Sequence, residues 1–105
     1  MQPSVSIIIP VYNDPSGLEE TLDCLVAQVF PKDQYEIIVV DNGSTDNTSE
    51  IGKKYADQFH DTIRFVLENK VQGSYAARNK GIEVSRGKLL ILLDANVTLG
   101  SDYIE

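Results

Sequence analysis

Two aspartates that each follow a short apolar run give the clearest chemical signal in the sequence. Asp41 follows residues 37–40, and Asp94 follows residues 89–93. Apolar runs of this length, bounded by polar residues, are typical of strands that are buried on both faces of a parallel sheet. Open α/β sheets bind their ligands beyond the carboxyl ends of their strands. We therefore expect both carboxylates to lie beside a bound ligand.

The elements that would position these acids alternate along the chain as βαβαβαβ, which predicts an α/β fold with a parallel sheet. Pro10 is expected to end the first strand, because proline cannot donate to a central ladder. Asp14 and Pro15 have the residue types of a helix cap and a first helical residue. The predicted strands cover residues 5–9, 36–40, 62–67 and 89–93, and the third helix covers 74–85.

The strand order is predicted to be 3-2-1-4. Right-handed crossovers carry the first three strands in one direction, and the fourth strand, the most apolar, is expected beside the first. This order creates a switch point between strands one and four, where the loops 10–14 and 94–98 meet. The dinucleotide and P-loop glycine fingerprints are absent, so this cleft would have to bind phosphate by other means.

Composition excludes several classes of protein. A chain of 105 residues forms one domain, and its net charge of −7 argues against nucleic acid as a partner. The single Cys24 excludes an internal disulfide and fits a reducing compartment, so a cytoplasmic location is expected. No apolar run approaches the ~20 residues of a membrane span.

Basic residues are concentrated in the segment 70–88, which carries a local charge of +4 in an acidic chain. Two interpretations remain open, a solvated helix face and an anion contact. Arg78 is the strongest candidate for the second, because it lies one turn into the third helix. A guanidinium beside free helix N–H groups makes an anion site. The alternative is a surface ion pair with Glu83 or another acid.

Four stretches, at these spacings and in this order, resemble the family 2 inverting glycosyltransferases of the GT-A fold. The resemblance covers residues 4–103 approximately. The stretches are Ile9-Pro10-Val11-Tyr12-Asn13, Val39-Val40-Asp41-Asn42-Gly43-Ser44, Asn69-x-x-x-Gly73-x-x-x-Ala77-Arg78-Asn79-x-Gly81, and Leu92-Leu93-Asp94-Ala95-Asn96. The resemblance implies a nucleotide-sugar donor, most often a UDP-sugar, a divalent cation (Mn²⁺ or Mg²⁺), and a role in polysaccharide biosynthesis.

The resemblance also assigns site residues. Those implied to bind the donor are Pro10, Tyr12, Asn13, Asp41, Gly73, Arg78 and Asp94, and the implied metal ligand is Asn96. Gly73 is alternatively a position that permits close backbone packing, and Tyr12 is either a base-stacking residue or a core tyrosine with a wet hydroxyl. No catalytic residue is assigned, because the family's general base belongs to a second half of the domain that nothing here matches.

Asp41 has its own chemical interpretation. A carboxylate accepts a hydrogen bond from uracil N3–H, whereas cytosine presents an acceptor at that position and would leave both groups unpaired. Guanine N1–H would also satisfy the carboxylate, so GDP-sugars remain open. The alternative is a structural cap for the turn 43–46.

Asn96 departs from the D-x-D pattern of the family, in which the second acid ligates the metal. Its carbonyl oxygen still suits a hard cation, but the formal charge is lost and metal affinity is expected to fall. Three interpretations remain: a weaker but working metal site, altered metal dependence, and a degenerate binding site.

The chain is therefore expected to be a truncated GT-A domain, its nucleotide-sugar-binding half, which binds donor but transfers nothing alone. The acceptor and the sugar stay unknown, and the full-length enzyme could lie at the inner face of the membrane. An apolar fourth strand at a sheet edge is a pairing hazard, so self-association is expected. The rivals are a non-catalytic nucleotide-sugar binding module and a phospho-acceptor signalling domain. The second fits poorly, because the paired acids after strand one and the lysine after a fifth strand are absent.

Overall fold

The computed structural model describes residues 3–27, 34–68 and 74–93, where four strands alternate with three helices. All strand pairs are parallel, and the sheet order is β3-β2-β1-β4. The predicted α/β topology and its switch point between β1 and β4 are confirmed. The elements are β1 Val5–Val11, α1 Pro15–Val26, β2 Tyr35–Asp41, α2 Thr48–Gln58, β3 Ile63–Leu67, α3 Ser74–Val84 and β4 Leu89–Leu92.

The core lies on both faces of β1 and β2, because side chains two residues apart in a strand share a face. One face packs against α1 and α2, and the other packs against α3 through the buried Ala77. The residues of β1 and β2 in the cluster that faces α1 and α2 include Ile7, Ile9, Ile37 and Val39, and those in the cluster that faces α3 are Ile8, Ile38 and Val40. A three-layer α/β arrangement follows, in which every residue of β1 and β2 is buried except the partly buried Pro10.

The helices begin and pack for local reasons. Asp14 caps α1 as predicted, and its Oδ1 accepts a 3.1 Å hydrogen bond from the Gly17 amide. Gly81 lets α3 approach the sheet, because an added Cβ would lie 2.3 Å from Cγ2 of Ile8. None of the helices in the described ranges has the length and apolar character needed to cross a bilayer.

The prediction that Pro10 ends the first strand is wrong. β1 continues to Val11, with Pro10 in register with Val40. The Ile8 carbonyl accepts a 3.0 Å hydrogen bond from Leu93 on the β4 side, and Pro10, two residues later, faces the same side. It lies beyond the last β1–β4 pair, Ile8 with Leu92, so its missing N–H removes no bond from the described ladder.

The fourth strand is not buried on both faces in this chain. Leu89, Leu90 and Leu92 are 58%, 39% and 45% exposed, and only Leu93 just beyond the strand is buried. The reason is position, because β4 is the edge strand and pairs only with β1 among the described residues.

A buried carboxylate, Glu36, links neighbouring strands at the amino end of the sheet. Its Oε2 accepts hydrogen bonds from the Ser6 hydroxyl and the Arg86 amide, both at 2.6 Å. Its Oε1 accepts from the guanidinium groups of Arg64 at 2.9 Å and Arg86 at 3.2 Å. Burial raises the pKa of Glu36, but these hydrogen bonds and the charge of Arg64 outweigh it, so the pKa lies below its ordinary value. Glu36 thus connects β1, β2, β3 and the loop that leads into β4.

Candidate functional site

The loops after β1 and β2 and the end of β3 are joined at the carboxyl edge of the sheet. The Asn42 amide donates to the Val11 carbonyl at 2.9 Å, and the Glu68 amide donates to the Asp41 carbonyl at 2.8 Å. The Asn42 side-chain amide also donates to the Glu68 carbonyl at 2.8 Å. These hydrogen bonds hold the carboxyl ends of β1 and β3 against the end of β2.

Asp41 is the buried polar centre of this edge. Its side chain is fully buried, and its Oδ2 accepts hydrogen bonds from the Ser49 hydroxyl at 2.5 Å and the Ser44 amide at 3.3 Å. Its Oδ1 accepts from the Ser44 hydroxyl. Gly43, at φ 82°, provides the left-handed turn that brings Ser44 back onto the carboxylate. The predicted capping role of Asp41 is therefore present, and a ligand reaches this carboxylate only when a covering group moves.

Asn13 connects the first loop to the second. Its amide donates to the Ser44 hydroxyl oxygen at 2.9 Å, and its side-chain carbonyl accepts from the Thr45 amide at 2.8 Å. Its backbone is left-handed, with φ 50°, a region that asparagine tolerates better than most residues. A hydrogen-bonded chain therefore runs from Asn13 through Ser44 to Asp41.

The other described candidates lie around this cluster. Pro10 is partly buried in β1, and Tyr12 is 48% exposed, so the core interpretation of Tyr12 is wrong. Arg78 is exposed on α3, directly after the buried Ala77. It makes no hydrogen bond or ion pair with any other residue in the described ranges, and the alternative pairing with Glu83 is wrong because Lys80 occupies that acid at 3.4 Å.

The basic segment of the sequence is divided between the two ends of the sheet. Arg86 binds Glu36 at the amino end, far along the strands from Asp41. Lys80 pairs with Glu83 on the surface of α3. Of the two basic residues of α3, Arg78 is the one without an ion-pair partner among the residues that the structure describes.

Gly73, Asp94 and Asn96 lie outside the described residues. Within the described ranges, no group of three or more histidine, cysteine, aspartate or glutamate side chains is arranged to hold a metal ion. The described side chains therefore do not form a metal site by themselves, and the assignment of Asn96 as a metal ligand stays a prediction.

Two residues of the site were missed by the sequence interpretation, namely Ser44 and Ser49. A serine three residues after an aspartate in a turn is a common hydrogen-bond partner, and this spacing could have indicated Ser44. Ser49 lies eight residues from Asp41, and only the packing of α2 against the sheet brings the two together.

Comparison with known sequences places these features in a family. The sequence model described as Glycosyl transferase family 2 matches residues 6–105. Glycosyltransferase AglE of Haloferax volcanii is 43% identical over 103 residues, which are 98% of this chain and 34% of that protein. Poly(ribitol-phosphate) beta-glucosyltransferase of Bacillus spizizenii is 38% identical over 95% of this chain and 16% of its own length. The chain thus spans about a third or less of these relatives.

Solved structures of glycosyltransferases are also similar to this chain. The mannosyltransferase PcManGT of Pyrobaculum calidifontis, in complex with GDP-Man and Mn²⁺, superposes with a TM-score of 0.89 at 30% identity. The match covers 99% of this chain and 31% of that one. TarS of S. aureus in complex with UDP has a TM-score of 0.86 at 27% identity, over 96% of this chain and 30% of its own. The predicted GT-A architecture is confirmed.

Proposed function

Because this chain belongs to glycosyl transferase family 2, we propose that it is the nucleotide-sugar-binding half of a GT-A glycosyltransferase. The parent enzyme transfers a sugar, with inversion, from a nucleoside diphosphate sugar to an acceptor hydroxyl, and UDP-sugars are its preferred donors. The proposal places it in polysaccharide biosynthesis, and the single Cys24 fits a reducing, cytoplasmic setting.

The observation that carries the proposal is the buried Asp41 at the carboxyl edge of the sheet, one strand away from the switch point between β1 and β4, because α/β folds bind ligands at this edge. In this proposal the carboxylate accepts uracil N3–H, and the exposed ring of Tyr12 lies against the base. The guanidinium of Arg78, which has no partner among the described residues, contacts the diphosphate. Pro10 and Asn13 shape the first loop, and Gly73 and Asp94 complete the donor site.

A divalent cation is part of the proposal because a solved relative contains Mn²⁺ with its nucleotide sugar. Asn96 would contribute a neutral oxygen ligand, and when bound the cation would offset the charge of the diphosphate. Since Asn96 is neutral where the family has an acid, we propose a weaker metal site than that of the family.

Titration of UDP by calorimetry tests the donor site, with Asp41→Asn as the variant and Asp57→Asn, an exposed aspartate of α2, as its matched control. Loss of a hydrogen bond to a charged group is expected to weaken UDP binding by about 10-fold or more in Asp41→Asn. Asp57→Asn should bind as wild type does. Equal UDP affinity in both variants, with circular dichroism showing both folded, would contradict the proposed role of Asp41.

The same titration with and without Mn²⁺ tests the metal. We expect Mn²⁺ to strengthen UDP binding. UDP binding that is indifferent to Mn²⁺ would leave the nucleotide site in place and count against a working metal site at Asn96.

The whole reaction requires more than this chain, since the matched relatives are about three times as long or longer. We propose that the missing part supplies the general base and the acceptor site. The 105-residue chain should therefore bind donor and transfer nothing. Sugar transfer by the purified chain would refute the proposal that the general base and the acceptor site lie outside it.

A second candidate is a non-catalytic nucleotide-sugar binding module, favoured by the neutral Asn96 in place of an acid. The full-length protein would then bind UDP but neither hydrolyse nor transfer from a UDP-sugar. Activity measurements on the full-length protein separate the two candidates.

We also propose that the isolated chain self-associates, with the exposed edge of its β4 pairing with β4 of a second copy. The support is an edge strand with three exposed leucines and unpaired backbone groups along its outer side within the described ranges.

A further inference from the structure

We infer that Asn13 is a positioning residue, which holds the backbone of Tyr12 in place against the turn 43–45 and acts on the bound base only through the tyrosine ring. This inference rests on the proposed nucleotide site, in which Tyr12 lies against the base. It deepens that proposal by separating a residue that touches the donor from a residue that orients it.

The backbone of Tyr12 is attached to the second loop on both sides. Before it, the Val11 carbonyl accepts a hydrogen bond from the Asn42 amide at 2.9 Å. After it, the Asn13 amide donates to the Ser44 hydroxyl oxygen at 2.9 Å. The Tyr12 side chain is 48% exposed. The ring is therefore placed by its backbone and not by packing in the core.

The side chain of Asn13 adds a third connection. Its Oδ1 accepts a hydrogen bond from the Thr45 amide at 2.8 Å and lies 3.5 Å from the Thr45 hydroxyl. The left-handed backbone of Asn13, at φ 50°, is one that asparagine tolerates better than most residues. The carbonyl oxygen of this side chain therefore bridges the first loop and the second.

The Thr45 bond does not depend on the side chain that covers Asp41. If the Ser44 hydroxyl rotates away from Asp41 to admit a ligand, its contact with the Asn13 amide changes too. The bond to Thr45 remains, because that N–H belongs to the backbone of the turn. The Asn13 side chain is thus the connection after Tyr12 that persists while a ligand binds.

Fixing the Tyr12 backbone before the base arrives should strengthen binding. A ring that is already held in place loses less conformational freedom on binding than a ring on a loose loop. Without the Asn13 side chain, part of this ordering would take place at the moment of binding and would appear as weaker affinity.

The experiment measures the UDP dissociation constants of wild type, Asn13→Gly, Tyr12→Ala and the double variant. Glycine adopts the left-handed backbone without strain, so the variant removes the side-chain bridge. Asn47→Ala is the matched control, because Asn47 is an exposed asparagine before α2 whose side chain makes no capping hydrogen bond. Thermal unfolding of each protein verifies that it is folded.

We expect UDP binding to weaken by about fivefold in Asn13→Gly and by about tenfold in Tyr12→Ala. Asn47→Ala should bind as wild type does. In the Tyr12→Ala background, Asn13→Gly should cause no further loss, because the ring through which it acts is gone. A further loss of about fivefold in the double variant would overturn the inference, since Asn13 would then contact UDP directly or act on the fold as a whole.

Amide hydrogen exchange tests the bridge without a ligand. The Thr45 amide should exchange faster in Asn13→Gly than in wild type or Asn47→Ala. Equal exchange in the three proteins would overturn the inference, because the bridge would then restrain nothing.

The two levels of the proposal fail differently. UDP binding that weakens in Tyr12→Ala but is unchanged in Asn13→Gly would overturn this inference and leave the proposed function intact. Unchanged binding in Tyr12→Ala would overturn the inference together with the proposed role of that ring. Absence of UDP binding by wild type would overturn both the inference and the proposed function.

Discussion

The backbone amide of Arg86 donates a 2.6 Å hydrogen bond to Oε2 of Glu36, across 50 residues of sequence. This bond joins the loop before β4 to the start of β2. The Ser6 hydroxyl donates to the same oxygen and itself accepts from the Gly87 amide at 2.7 Å. The approach of β4 to β1, and with it one side of the switch point, is therefore organised from the amino end of the sheet.

Glu36→Ala is expected to destabilise the fold by about 3 kcal/mol, the lower end for removal of one partner from a buried ion pair. We expect a cost at the lower end of this range because the side chains of Arg64 and Arg86 are 34% and 51% exposed and keep access to water. Urea unfolding measures the loss. Glu83→Ala, which removes an exposed carboxylate, is the control and should cost under about 0.5 kcal/mol. Equal costs for the two variants would show that the Glu36 cluster contributes no special stability.

Stability should fall in acid because of Glu36. Its pKa in the folded chain is lower than the ordinary value of 4.5, so the unfolded chain takes up a proton at higher pH than the folded chain does. The contribution is complete above the unfolded value and disappears as pH falls through the lower, folded value. Urea unfolding of wild type and Glu36→Gln should give free energies that differ at neutral pH and converge in acid. A difference that stays constant with pH would contradict this account.

Asn13 should matter through its backbone as well as its side chain. Asn13→Ala is expected to cost about 1–2 kcal/mol because alanine must adopt a left-handed conformation, and about 1 kcal/mol more because the bond to the Thr45 amide is lost. Asn13→Gly loses the same side-chain bond without the backbone strain, so it should cost less. Thermal unfolding compares the two variants, and a larger loss in Asn13→Gly would argue against strain at this position.

Self-association through β4 should depend on its exposed leucines. Leu92→Lys places a charge on the edge strand and is expected to shift the isolated chain toward monomer, as measured by light scattering over a range of concentrations. The control is Ile82→Lys, since Ile82 is similarly exposed at 41% but lies on α3. A wild-type chain that stays monomeric at high concentration would exclude association through this edge.

The sequence predicted the order of elements and the sheet order, and with them the edge that holds the candidate site, because these depend on local periodicity and on crossover handedness. It also predicted the cap at Asp14. It failed at Pro10, where the outcome depends on how far the neighbouring strand extends. The sequence likewise assigned five basic residues to one segment, although Arg86 binds Glu36 at the amino end of the sheet and Arg78 lies exposed on α3.

What the sequence determined by itself is the placement of an aspartate at the end of a buried strand in a nucleotide-binding type of sheet. The tertiary structure alone decided how that aspartate is used. Ser44 is turned back by a left-handed glycine, Asn13 reaches over from another loop, and Ser49 arrives with the packing of α2. The contacts of Asn13 with Ser44 and of Ser49 with Asp41 join residues on different elements and have no local pattern, so they exist only once the chain has folded.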